Sequence, residues 1–308
     1  MDRVRKQLHM DAVYQLGVTG KNVNVCVLDT GVFLHKDFEN RLLKFVDFTG
    51  RGRNYCYDQN GHGTHVCGIL AGSGRASKGK YQGIAPGAGL IVGKILDKRG
   101  KGQTEDLFRA LEWILTYHKQ YGIRIVNISI GIAENEEQRA ENVAKRTLLY
   151  SYIQRFYQEG ILVVTAAGNF GPAQNSLSVL GESAQTICVG CHDGNVLFAG
   201  GKKCELYSGR GPSIYSLRKP DVVAPGTEIA SCSNRNAMGY VRKSGTSMAC
   251  PIVSGLAALL IERYPSMEIG RLMAKIRNGT IDLNESWSKQ GYGMIDGEKL
   301  FHQTGPER

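Results

Sequence analysis

The chain has 308 residues, a formal net charge of +10, and 42% hydrophobic against 21% charged residues. That balance fits a globular protein with a sizeable core and excludes a disordered or low-complexity chain. No apolar run reaches membrane-spanning length, and the small basic groups (Arg3/Arg5/Lys6, Arg51/Arg53, Lys98/Arg99/Lys101, Lys202/Lys203, Arg242/Lys243) lack interleaved aromatics, so neither membrane nor nucleic acid is an expected partner.

In chain order, Asp11 to Leu16 reads as a short helix stopped by Gly17 and Gly20. Val23 to Asp29 is a buried strand with an acid at its carboxyl end, and Leu42 to Phe48 is another strand. Gly61-His62-Gly63-Thr64-His65 turns into a helix running to about Ala71. Gly89 to Leu96 is a strand, Thr104 to Tyr121 a helix, Arg124 to Ile130 a strand and Ala140 to Gln158 a long helix. Ile161 to Ala166 is a strand ending in Ala167-Gly168-Asn169. Thr186 to Cys191 and Asp221 to Val223 are further strands, and helices follow Ser247 and Ser266. Apolar strands alternating with long helices predict an α/β fold: a mainly parallel twisted sheet covered on both faces. No linker interrupts the pattern, so residues 1–308 are expected to form one domain.

In such sheets, sites form at the carboxyl ends of the strands. Asp29, Ser129, Gly131 and Asn169 fall at such ends, while His62 and Ser247 fall at helix starts. A lone Gly-x-Ser before a helix is most simply an N-cap. With an acid, an imidazole and an amide on the same rim, that serine has what nucleophilic catalysis requires.

Asp29-Thr30-Gly31-Val32, His62-Gly63-Thr64-His65-Val66-Cys67-Gly68 and Gly245-Thr246-Ser247-Met248-Ala249 resemble the three active-site motifs of the subtilisin-like (subtilase) serine proteases. Their order, Asp then His then Ser, matches too, and Ala166-Ala167-Gly168-Asn169 resembles the family's oxyanion segment. The resemblance runs from about Leu8 to Gly293. It implies Ser247 as nucleophile, His62 as general base and acid, and Asp29 as the group that orients the imidazole. It also implies an oxyanion hole made by the Asn169 amide and the Ser247 N–H, and leaves His65 a structural role. An extended peptide would lie between Lys101-Gly102-Gln103 and Ile130-Gly131-Ile132. The S1 pocket would lie between Ser129–Gly131 and Ala166–Asn169, with a wall near Ser178. Phe170 suggests an apolar P1 preference, and Lys98, Arg99 and Lys101 suggest acidic residues upstream. Expected partners are peptides or proteins, acted on by a monomer. The alternative is a non-catalytic protein of the same fold that binds a peptide or a partner. An α/β-hydrolase reading is disfavoured because no Gly-x-Ser-x-Gly surrounds Ser247.

The chemistry implied needs no cofactor. Structural calcium, the family's usual ion, is poorly supported: Asp37 could match one ligand, but Ser73 to Gln82 carries Arg75, Lys78 and Lys80 and lacks an Asn-rich calcium loop. In this the chain is closer to intracellular members. No apolar segment of signal-peptide type follows the basic N-terminus, so the expectation is a cytoplasmic protein with no separate propeptide, or a secreted one if a leader has been removed. The eight cysteines are then expected as reduced thiols. Cys188-Val189-Gly190-Cys191-His192 formally matches a haem-attachment pattern, and Cys204 could join a zinc set. Both readings yield to core thiols because the motif falls on a core strand.

Overall fold

The computed structural model describes residues 1–50, 55–196, 198 and 202–302. Arg51 and Arg53 of the basic groups lie outside these. Helices α1 (Asp2–Gln7) and α2 (Met10–Tyr14) precede strand β1 (Asn24–Asp29). Then follow β2 (Leu42–Asp47), α3 (His62–Ala71), β3 (Gly89–Lys94), α4 (Thr104–Tyr121) and β4 (Ile123–Ile128). Next come α5 (Glu136–Glu141), α6 (Val143–Gln158), β5 (Leu162–Ala166), β6 (Thr186–Cys191) and β7 (Val222–Ala224). A hairpin of β8 (Ile229–Cys232) and β9 (Tyr240–Lys243) leads into α7 (Thr246–Arg263) and α8 (Ile269–Asn278). The chain closes with β10 (Thr280–Ile281), α9 (Trp287–Gln290), β11 (Met294–Ile295) and α10 (Gly297–His302).

One nine-stranded sheet has the order β10-β11-β7-β6-β5-β4-β1-β3-β2. Every pairing in it is parallel except β10 with β11. The chain runs from β1 outward to β2 and β3, then crosses back to β4. The order therefore reverses at β1/β4, the place where open parallel sheets leave a crevice at their carboxyl ends. Alternation along the strands builds two cores. Val25 and Val27 join Val66, Ile69 and Leu70 of α3 and Leu256 of α7 on one face. Cys26 and Leu28 join Leu111 and Ile114 of α4 and Ile153 and Phe156 of α6 on the other.

Several expected boundaries shift. The long helix over 140–158 begins earlier and is two helices. Asn135 and Gln138 form a capping box that starts α5, and Asn142, at φ −92° and ψ 16°, separates α5 from α6. The strand expected to reach Ile130 stops at Ile128, so Ser129 to Gly131 are loop residues. The helix expected at 11–16 is Met10–Tyr14. Helix α1 is too short to show a period, and it is held through buried Val4. The β8–β9 hairpin has short, partly polar strands and no two-residue turn signal, so nothing in its sequence announces it. Helix α7 has the length and mean hydropathy (1.2) of a membrane span, but 83% of it is buried as the core helix.

Candidate active site

Strand β1 ends on Asp29, which is fully buried, and its Oδ1 accepts the Thr30 N–H at 2.7 Å. His62 opens α3, and its Nδ1 lies 2.8 and 2.9 Å from the two Asp29 carboxylate oxygens. A carboxylate only accepts, so Nδ1 carries the proton and Nε2 keeps a lone pair. Burial pulls the His62 pKa down, but the charge and hydrogen bond of Asp29 outweigh it, and the net shift is upward. Gly63 is needed for this approach: a Cβ there would lie 2.2 Å from the Gly31 carbonyl oxygen and 3.1 Å from Asp29 Cβ.

Asp58 sets where α3 begins. Its Oδ1 accepts from the Asn60 and Gly61 N–H groups and the Thr30 hydroxyl, and its Oδ2 from the Thr64 N–H and hydroxyl. Thr30 Oγ1 in turn accepts the Gly63 N–H at 2.9 Å. The buried Lys94 ammonium donates to the carbonyls of Thr30 and Leu96, both at 2.6 Å. Sequence reasoning missed Asp58 and Lys94. An aspartate four residues before a helix-opening histidine is an Asx-type cap signal that could have found the first. A lysine ending an apolar strand could have flagged the second.

Ser247 lies in the first turn of α7, two residues further into the helix than the cap residue Gly245. Gly245 precedes it at φ +142°, where a side chain would be strained. Pro251 has no N–H to return to the Ser247 carbonyl, so that turn is open on its carbonyl side. Helices α3 and α7 pack together. Asn169 joins them from β5. Its Oδ1 accepts both the N–H and the hydroxyl of Thr246, each at 3.1 Å. The side-chain carbonyl is thus spent on the neighbour of Ser247, and the Asn169 NH2 is left as donor. Thr246 is a third residue that sequence reasoning did not single out for a role of its own.

Ala166 and Ala167 are buried at the end of β5, and Ser178 packs behind them. The Ser178 N–H donates to the Ala167 carbonyl at 2.8 Å, and its hydroxyl accepts the Ile132 N–H at 3.0 Å. Ile132 is therefore tied to Ala167 through Ser178. The Phe170 ring lies across this seam: a Cβ on Gly131 would lie 3.0 Å from it, and one on Gly168 2.8 Å. Lys101, Gly102 and Gln103 are exposed ahead of α4. A cavity of ≈ 170 Å³ lies beside the start of α4, lined by Thr104, Leu107, Ile132 and Val179 together with the charged Glu134 and Arg146.

His65 takes no part at the rim. It is fully buried, its Nε2 donates to the carbonyls of Ile229 and Val241, and burial lowers its pKa to about 3. Cys67 and Cys250 are buried thiols, and burial pushes Cys250 up to about 12. The expectation of reduced thiols throughout is corrected at one pair: Cys191 and Cys204 are disulfide-bonded, with Cα atoms 5.8 Å apart. This also removes Cys191 from the haem and zinc patterns.

At Asp37 the donors present do not suit a calcium ion. Oδ1 of Asp37 accepts the Ala76 N–H and Oδ2 accepts the Tyr240 hydroxyl. The other donors grouped with Asp37 are the His35 nitrogen and the Cys232 sulfur. A hard cation needs several oxygens.

Residues 20–294 match the model of the subtilase family. The chain belongs to the subtilase family. It is a subtilisin-like serine endopeptidase, a hydrolase. Among its relatives, it is 33% identical to serine protease AprX of Bacillus subtilis (strain 168), over 97% of this chain and 71% of that one. It is 30% identical to subtilisin DY of Bacillus licheniformis, over 94% of each. The solved structure of sphericase superposes with a TM-score of 0.76 at 30% identity, covering 91% of this chain and 92% of that one.

Proposed function

We propose that this endopeptidase works through Ser247, His62 and Asp29, with the carbonyl oxygen of the scissile bond held by the Asn169 amide and the Ser247 N–H. The reading rests above all on the His62 imidazole, whose Nδ1 is tied to both oxygens of a buried Asp29. His62 Nε2 takes the Ser247 hydroxyl proton as Oγ attacks the carbonyl carbon. The new oxyanion forms facing the Asn169 NH2, whose carbonyl end is already occupied by Thr246. The imidazolium gives its proton to the leaving amine, the peptide C–N bond breaks, and an acyl-enzyme remains. Water, deprotonated by His62, then releases the acid and restores Ser247.

An extended substrate would pair with Gly102 on one side and Gly131 on the other, burying its P4 side chain in the cavity beside Leu107 and Ile132. Phe170, across Gly131 and Gly168, would offer P1 an aromatic face, favouring Leu and aromatic residues over Lys or Arg. A fluorophosphonate probe should label the chain, and Ser247→Ala should abolish labelling. In a P1-varied peptide library, cleavage should be fastest after aromatic residues or Leu. Labelling that persists in Ser247→Ala would defeat the assignment of the nucleophile, and preferred cleavage after Lys or Arg would defeat that of the pocket.

A further inference from the structure

Away from the catalytic rim, the loop after β1, the end of α3 and strand β8 enclose a buried group of three different metal-binding side chains: His35, Asp37 and Cys232. Their donor atoms all lie within 4.8 Å of one another. Asp37 Oδ2 is 4.0 Å from His35 Nδ1 and 3.7 Å from Cys232 Sγ. Ligands around a tetrahedral zinc, at about 2.0–2.3 Å from the ion, are roughly 3.3–3.6 Å apart. The three donors therefore need only a slight closure to share one ion.

Their surroundings orient them for it. The other ring nitrogen of His35, Nε2, is 3.0 Å from the Gly239 carbonyl, which only accepts. That fixes the proton on Nε2 and leaves Nδ1 with its lone pair toward the group. A backbone carbonyl on the far nitrogen is the usual outer-shell partner of a metal-bound histidine. Nδ1 now accepts the Asp37 N–H at 3.1 Å, a contact the ion would replace. The Ala76 N–H holds Asp37 Oδ1, and Oδ2 faces Cys232 and Tyr240. Burial and the neighbouring carboxylate push the Cys232 thiol pKa well up, so without a cation the thiol stays protonated. Arg41 is the nearby fixed charge, and it is spent on the carbonyls of Asp37, Ala71 and Ala88.

We propose that His35 Nδ1, Asp37 Oδ2 and Cys232 Sγ form a structural site for a divalent cation of the zinc class. Binding expels the thiol proton to solvent and forms a metal–thiolate bond. A neutral imidazole, a carboxylate and a thiolate then sum to −2 against a +2 ion, so the buried site carries no net charge. The Tyr240 hydroxyl, 2.8 Å from Asp37 Oδ2, is in place to supply the fourth ligand. The mixed N/O/S set selects a borderline-soft ion over calcium. Such an ion would tie the loop after β1 to β8 beneath α3, where Cys232 Sγ would be 2.8 Å from a Cβ placed on Gly68.

The test uses the full chain carrying Ser247→Ala, which suppresses self-digestion, with Zn2+ and Co2+ alone as probes. We expect about one zinc retained per chain, a sulfur-to-cobalt charge-transfer band, and loss of both in Cys232→Ser, with affinity falling at least ~100-fold. Cys204→Ser should retain both, because Cys204 belongs to the disulfide with Cys191 and not to this site. Should Cys232→Ser fail to fold, alkylation of the parent chain in mild denaturant decides: Zn2+ should slow modification of Cys232, read by mass spectrometry. Absence of retained zinc, a cobalt band that survives Cys232→Ser, or alkylation of Cys232 indifferent to Zn2+ would overturn the proposal.

Discussion

His62 receives two opposing influences, and their balance can be measured. Burial lowers its pKa, while the charge and hydrogen bond of Asp29 raise it more. A raised pKa keeps the imidazole protonated, and so unable to act as base, to higher pH. The acid limb of kcat/KM should therefore lie above the ordinary histidine value of about 6.5. Asp29→Asn removes what raises the pKa and leaves the burial. Its acid limb should move to lower pH while kcat falls by about 10⁴, because the wrong tautomer is favoured. An unchanged limb in the pH–rate profile of Asp29→Asn would show that Asp29 does not set this basicity. At this scale the triad motifs were legible because Asp29, His62 and Ser247 each sit in a short run of distinctive residues. Asp58 carried a local cap signal through Asn60, Gly61 and Thr64, whereas Lys94 and Thr246 were not legible, because their roles depend on hydrogen bonds to segments far along the chain, such as Lys94 to Thr30 and Thr246 to Asn169.

Among the elements, the turn at 225–227 links the disulfide to the helix that carries Ser247. A Cβ on Gly226 would lie 2.6 Å from Cys191 Sγ, and the Gly226 carbonyl accepts the Gly245 N–H at 2.9 Å. The bridge closes a short loop, its cysteines separated by 13 in sequence. For a loop of about that size the chain-entropy model gives roughly 3 kcal/mol. Reduction by dithiothreitol should lower the denaturation midpoint accordingly, and Cys204→Ser should behave as the reduced protein does. Equal midpoints before and after reduction would mean the bond adds no stability. Strands with strong apolar runs, such as β1 and β6, were legible to within a residue. The disulfide was not: Cys191 looked like one more core thiol of β6, and its partner comes from a loop whose path only the tertiary fold sets. The β8–β9 hairpin was hidden for a related reason, since its short strands owe their pairing to packing beneath α3.

For the whole molecule, the parallel sheet and its reversal at β1/β4 place Asp29, Asn169 and the starts of α3 and α7 on one rim. That architecture could be read from the alternation of apolar strands and long helices. The two-sided cores were legible as well, because Val25 and Val27 alternate with Cys26 and Leu28. The +10 charge adds a long-range effect. Lys98, Arg99 and Lys101 are exposed beside the distal end of the proposed substrate cleft. Peptides with acidic residues at P4 to P6 should be turned over faster than neutral ones at low salt. The advantage should shrink as ionic strength approaches 0.1 M, where screening sets in at about 10 Å. Equal kcat/KM for both peptides at low salt would remove this electrostatic preference.

Ser247 and His62 are expected to act as one unit, and kcat of the single and double variants on one peptide substrate reads this out. In subtilisin, the losses on removing the triad serine or histidine are grossly non-additive. The account predicts the same here: Ser247→Ala, His62→Ala and the double variant should all fall by a similar factor, on the order of 10⁶. Losses that multiply in the double variant, or a Ser247→Ala enzyme that keeps its rate, would contradict it.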